Sequence, residues 1–228
     1  TLLTSSAASD VYKRQETSTT NCSVSLSFEN DLVDCIEQDS SNYSHSENLH
    51  VFIKELLNKN NTEFNQLSAI SVSRGPGSYT GLRIGLSAAK GLCYGLDIPL
   101  ISISSLKILA NSIKYDGFIV STMDARRDEV YSCIYDSNLN VIREEKPEII
   151  NHESFIDISK NNKLLFIGDG QFKCKELINT NHNFSFESSI LRPTSKNMID
   201  LAFGKFKNND FEDLAYFEPK YLKEFRTN

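Results

Sequence analysis

No apolar run in this 228-residue sequence approaches the ~18 residues that a membrane-spanning helix needs, so a membrane span is not expected. No basic segment followed by an apolar core opens it, which argues against a secretory signal in the sequence as given. Clusters of lysine or arginine are missing too: 24 basic residues against 30 acidic ones give a formal net charge of −6. Proteins that grip nucleic acid unaided usually present a basic face, because phosphate contacts dominate affinity. Direct nucleic-acid binding would therefore need a patch assembled in three dimensions, or a partner.

Paired cysteine spacing is absent as well. Cys22, Cys35, Cys93, Cys133 and Cys174 form no C-x-x-C pair and are odd in number. That points to reduced thiols in a cytoplasmic protein rather than to a disulfide framework or a zinc site. Their expected role is that of small buried hydrophobes. Of the four histidines, His45, His50, His152 and His182, none are spaced i, i+4, the interval that aims two ligands from one helix face. No metal site and no cofactor are expected.

What is present is ordinary for a globular protein, with 39% hydrophobic and 24% charged residues. The length allows one large domain or two lobes, each with a core. Residues 1–15, TLLTSSAASDVYKRQ, lack an initiating Met and any apolar alternation. They are expected to be a tail, disordered or of foreign origin such as a translated adapter scar. An N-terminal lobe is expected over 16–112 and a C-terminal lobe over 113–228.

Cys22, Val24, Leu26 and Phe28 alternate with three serines, the period of a half-buried strand. A short strand over 32–36 and a loop over 38–43 follow. Ser44-His-Ser-Glu47 has the form of a capping box, and Leu49, Phe52, Ile53, Leu56 and Leu57 then recur at helical spacing. Strands are predicted over 67–73, 100–103, 117–123, 129–135, 139–143 and 164–167. Helices are predicted over 80–94, 105–112 and 153–160, with a last one after Thr194 or Ser195 that puts Ile199, Ala202, Phe203 and Phe206 on one face. Strands alternating with helices point to α/β layers in two lobes.

The most informative stretch is SVSRGPGSYTGLRIGLSAAKGL, residues 71–92. It reads as strand, glycine-rich turn and helix. Gly75 and Gly77 permit backbone angles closed to other residues, and Pro76 fixes its own φ between them. Such a turn before a helix can hold an anion. It is neither a P-loop nor G-x-G-x-x-G, and Gly-Ser-Tyr is not a nucleophile elbow. In the helix, Gly81, Gly85, Ala88, Ala89 and Gly91 form a stripe of small residues. Small residues allow close packing, either on this chain's own sheet or against another subunit.

SRGPGSYTGLRIGLSAAKGL resembles the signature of the TsaB (YeaZ) family, once grouped with glycoprotease-like proteins. Other pieces match in the right order: Glu16-Thr-Ser-Thr19, His45-Ser-Glu47 with Leu49, Asp124-Ala125-Arg126 with Glu129-Val-Tyr131, and Phe217-Glu218-Pro219-Lys-Tyr221-Leu222. The resemblance covers about residues 16–225. It implies an α/β, two-lobed actin/sugar-kinase-like fold (ASKHA, ribonuclease H-like), each lobe a mixed sheet with flanking helices.

The resemblance also implies a non-catalytic, activating subunit in the threonylcarbamoyladenosine (t6A) modification of tRNA. Such a subunit pairs with TsaD, is joined by the ATPase TsaE, forms a homodimer when alone, and meets tRNA only through the complex. The family's pairing surface uses the two N-lobe helices, so Leu49, Phe52, Ile53, Leu56, Gly81, Leu82, Gly85, Leu86, Ala89 and Cys93 are the expected subunit contacts. Thr17, Ser18, Gly75, Gly77, Ser78, Gly168 and Gly170 would be a vestigial nucleotide or anion turn. Active relatives open with an Asp-x-Gly turn, which Glu16-Thr-Ser-Thr-Thr20 lacks. The competing expectation is an active phosphotransferase or peptidase of the same superfamily. One departure stands out: Asp10-Val-Tyr-Lys-Arg-Gln15 occupies the place of the family's apolar first strand.

Overall fold

The computed structural model describes residues 10–39, 45–179 and 181–223. Strands β1 (Val11–Glu16), β2 (Asn21–Phe28) and β3 (Asp31–Asp39) make an antiparallel meander. Helix α1 (His45–Lys59), strand β4 (Leu67–Ser73), helix α2 (Tyr79–Leu96), strand β5 (Leu100–Ile103) and helix α3 (Ser105–Ala110) follow. The sheet order is β3-β2-β1-β4-β5, with β4 parallel to β1 and β5 parallel to β4.

The second half repeats this wiring. Strands β6 (Phe118–Asp124), β7 (Glu129–Tyr135) and β8 (Val141–Ile149) form a meander, followed by α4 (Ile156–Ser159), β9 (Leu164–Ile167), α5 (Gln171–Leu177), β10 (Phe184–Phe186) and α6 (Ile199–Lys207). Its order is β10-β9-β6-β7-β8, the same βββαβαβα path traced a second time. The architecture is therefore two mixed sheets with flanking helices, as the alternation of periods two and 3.6 in the sequence predicts. The elements over 67–73, 100–103, 129–135 and 164–167 lie where periodicity puts them. Ser44 of the predicted capping box lies outside the described residues.

On one face of the first sheet, Val24 and Leu26 meet Leu49, Ile53, Leu56 and Leu57 of α1. Next to them Ile70, Val72 and Leu100 meet Leu86, Ala89 and Cys93 of α2. The opposite face packs Tyr12, Ala69 and Ile101 on Met198 and Ala202, so α6 returns from the second half to cover the first sheet. Helix α3 serves both sheets: Ile108 joins that layer while Leu106 and Leu109 pack on Ile119 and Tyr135. The serines of β2, expected on a solvent face, are buried at positions 23, 25 and 27. The turn before α6 covers them, and Ser23 Oγ lies 2.7 Å from Ser195 Oγ. Thr194 does not cap α6; its hydroxyl donates to Glu37 at 2.6 Å.

Residues 10–15 correct the expectation of a tail. Val11–Glu16 is the central strand of the first sheet, paired antiparallel to β2 and parallel to β4. The reason is the pairing of main chains: β2 and β4 each present a ladder of N–H and C=O groups that must be satisfied, and any extended backbone can do so. Side-chain chemistry fits poorly. Lys13, Arg14, Gln15 and Glu16 are each 0% exposed, where a strand covered on both faces normally reads as a continuous apolar run. Burial pushes the Lys13 ammonium down to about 7 and the Arg14 guanidinium down to about 10. Residues 1–9 of the expected tail lie outside the described residues.

Candidate docking face and the glycine-rich turn

Two regions of the first lobe bear on function: the turn where β1 meets the start of α2, and the outer faces of α1 and α2. In the turn, Gly77 has φ +157° and lies so close to Ser18 that a Cβ would sit 2.6 Å from the Ser18 Cβ. Gly75 has φ +104°, and a Cβ there would lie 2.8 Å from the Lys220 carbonyl. Glycine is thus required at both positions by close backbone approach. Ser78 caps α2, its hydroxyl accepting from Gly81 N at 3.2 Å.

Thr17, Ser18, Gly75, Gly77 and Ser78 therefore do come together. The turn they form is occupied by the chain itself. Ser18 N donates to Glu16 Oε1 at 2.5 Å, and Ser78 N donates to Ser18 O at 2.6 Å. An anion cradle works by offering free N–H groups; here those of Ser18 and Ser78 are engaged, the first by a carboxyl group. The Glu16 carboxyl is wholly buried and held above its usual range by desolvation. A phosphate at this turn would have to displace the Glu16 carboxyl or sit beside it.

Glu16→Gln should stabilise the fold at neutral pH. A carboxyl whose folded pKa is raised incurs its penalty above that pKa and none below its unfolded value of about 4.3. The gain, measured by denaturant unfolding, should therefore shrink as pH falls toward 4. A constant gain would show that the charge is not its cause.

Gly168 and Gly170 stand apart, at the corresponding place in the second lobe. They pack against Thr122 and Met123 of β6. Asp169 Oδ1 between them accepts from Asp124 N at 2.9 Å, and burial raises its carboxyl. Among the described residues no group of three or more His, Cys, Asp or Glu is placed to hold a metal. His45 is buried and donates from Nε2 to Thr19 O at 2.6 Å, and desolvation lowers its pKa. His50 is exposed.

The expected subunit contacts need correction. Leu49, Ile53, Leu56, Leu82, Leu86, Ala89 and Cys93 are at most 7% exposed in the single chain, and Gly81 and Gly85 are buried too. Phe52 is half-buried against the α1 core. The glycines face this chain's own first strand. Thr17 Oγ1 donates to Gly81 O at 2.8 Å, and Gln15 Nε2 donates to Gly85 O at 2.5 Å. Any Cβ on Gly81 or Gly85 would overlap Thr17. At Gly81 and Gly85 the stripe is a helix-on-strand seat, not a free surface.

The exposed side of the same helix pair lies one stripe over. Ser46 and His50 of α1 and Arg83, Ile84, Ser87, Ala88, Gly91 and Leu92 of α2 line an open groove. A Cβ on Gly91 or Gly95 would meet nothing within 4 Å. Tyr94 is 84% exposed and Val51 57%. Ser87, Gly91 and Gly95 recur every four residues, a second small-residue stripe that was visible in the sequence but hidden by the more prominent one.

A family model described as "TsaD: tRNA N6-adenosine threonylcarbamoyltransferase" matches residues 39–228. The tRNA threonylcarbamoyladenosine biosynthesis protein TsaB of Escherichia coli K12 is 29% identical over 189 residues, covering 78% of this chain and 80% of its own length. The protein of that name from Bacillus subtilis 168 is 41% identical over 106 residues, 46% of each chain. The chain belongs to the TsaB (YeaZ) family. The fold agrees: the solved structure of YeaZ from Pseudomonas aeruginosa superposes with a TM-score of 0.82 at 23% identity, over 93% of this chain and all of that one. Both five-stranded sheets with their flanking helices are accordingly lobes of an actin/sugar-kinase-like fold.

Proposed function

We propose that this chain is a non-catalytic subunit of the machinery that installs threonylcarbamoyladenosine on tRNA, and that it pairs with a TsaD-type transferase through the outer groove of α1 and α2. The observation that carries the non-catalytic part is the Glu16 carboxylate in the turn where the fold would cradle phosphate. The groove supports the pairing part. It joins half-buried Ile84 and Leu92 to Gly91, which has open space above it, and small residues let a partner helix approach closely. A TsaE-type ATPase would join the assembled pair, a second copy would take the groove when TsaD is absent, and tRNA would be met through the complex, in the cytoplasm. The net charge of −6 agrees with leaving most of the RNA contact to a partner.

The test uses Gly91→Trp, which fills the groove where nothing lies within 4 Å. The wild-type chain should form a complex with a TsaD-type protein, and the variant should lose about tenfold or more in affinity while its melting temperature stays unchanged. Undiminished binding by the variant would remove the groove from the pairing surface. Threonylcarbamoyl transfer by the chain alone, or saturable ATP binding by it, would remove the non-catalytic reading.

A further inference from the structure

We infer that Arg83 is the polar anchor of the docking face, held in readiness by the C-terminal segment, and that it takes a carboxylate from the partner's docking surface. The inference rests on the pairing reading above. Arg83 is exposed at the lip of the α1–α2 groove. Its guanidinium carbon lies 4.0 Å over the Tyr79 ring, one helical turn back, and 5.9 Å from the Tyr221 ring. The two rings are 5.0 Å apart, and Arg83 Nε donates to the Tyr221 hydroxyl at 3.1 Å. Nε is thus used, and Arg83 also bonds the Tyr79 side chain; the terminal nitrogens form the kind of edge that binds a carboxylate in a fork. No described carboxylate forms an ion pair with Arg83, whereas Arg74, Arg143 and Arg192 each have one.

An exposed arginine ordinarily loses much freedom on binding. One already stacked on Tyr79 and bonded to the Tyr221 hydroxyl loses less, so more of the contact appears as affinity. The occupant's charge follows from the helix itself. The span Tyr79–Leu96 contains Arg83 and Lys90 and no acidic residue, a local cationic face on a chain of net charge −6. Both cations are held by the same segment, since Lys90 Nζ donates to Ala215 O at 3.2 Å.

That segment is a strap. Glu212 N donates to Leu100 O at 2.9 Å, Leu214 and Phe217 pack on the α2 core, and Lys220 N donates to Arg74 O at 2.7 Å. It then reaches the second lobe, where Lys220 pairs with Glu145 at 2.8 Å and Lys223 pairs with Glu129. Tyr221 sits between these anchorages, so it is a positioning residue for Arg83.

The experiment measures binding of the full chain to a TsaD-type protein by calorimetry at low and high salt. Arg83→Ala should weaken binding by about thirtyfold and flatten its salt dependence. Arg83→Lys should recover only part of this, because an ammonium cannot fork. Tyr221→Ala should weaken binding by about tenfold in the wild type and have no further effect beside Arg83→Ala, the non-additivity of residues acting as a unit. A merely structural Tyr221 would give the same loss in both backgrounds. A wild-type complex undisturbed by Arg83→Ala, or fully restored by lysine, overturns this inference alone. Failure of the wild type to form any complex overturns it together with the pairing reading.

Discussion

Lys13→Met should raise the melting temperature by about 10 °C. Lys13 lies in the central strand with no exposed surface, and its ammonium titrates at about 7 in the folded chain against an ordinary value near 10.5. At 1.36 kcal/mol per tenfold change, that difference corresponds to an upper bound of roughly 5 kcal/mol. Each kcal/mol moves the midpoint by about 2–4 °C in a chain of this size. Methionine keeps the length of the side chain and removes the charge. Nζ is bonded to Gln15 Oε1, and loss of that contact subtracts from the gain.

The pH dependence isolates the cause. A lysine with a lowered folded pKa binds its proton more weakly in the folded state than in the unfolded one. Its penalty is therefore complete below about pH 7 and vanishes as pH rises to about 10.5. The variant's advantage over the wild type should be largest at pH 7 and below and should disappear near pH 10. Comparing the two proteins cancels buried Cys22, Cys133 and Cys174, whose raised pKa values pull stability the other way at alkaline pH, whereas Cys93 is coupled to Lys13 itself and shifts with it. An unchanged midpoint at pH 7 would mean that the first strand is not built from these residues.

Gly81→Ala should cost about 3 kcal/mol, and Gly91→Ala should cost nothing or gain up to about 1 kcal/mol. The two glycines lie in the same helix ten residues apart, so intrinsic helix propensity favours alanine at either. They differ in what stands opposite. A Cβ at Gly81 overlaps the carbonyl oxygen of Thr17, a backbone atom fixed by the central strand. Overpacking of this kind typically costs 1–3 kcal/mol, occasionally more. A Cβ at Gly91 meets open space. Gly85→Ala should fall between, because its obstacle is the Thr17 hydroxyl, a side chain tied to Gly81 O at 2.8 Å. Denaturant unfolding of the three variants checks the order. Equal stabilities for Gly81→Ala and Gly91→Ala would refute the intramolecular seat and return the first stripe to the docking surface.

Much of the architecture was legible. Leu67–Ser73, Leu100–Ile103, Glu129–Tyr135 and Leu164–Ile167 are strands whose ends match the sequence reading, because each is bounded by turn residues and has an apolar run or alternation. The helix at Tyr79–Leu96 differs from expectation by only a residue or two at either end. The signature around Gly75–Leu92 was enough to suggest the family, since a strand, a shaped turn and a helix with glycines at fixed offsets rarely coincide.

Three features lay beyond it. The charged stretch at 11–16 became a central strand because two neighbouring ladders needed a backbone between them, a demand that no side-chain pattern reports. Phe217–Tyr221 became a strap over α2 and both lobes through contacts between residues far apart in sequence. The glycine stripe turned inward. By itself the sequence determined that something must come very close to α2 at positions 81 and 85, because only small residues stand there. Whether that something was another protein or this chain's own Thr17 was decided by the tertiary structure, because periodicity reports which side of a helix is covered and contains nothing about whose atoms cover it.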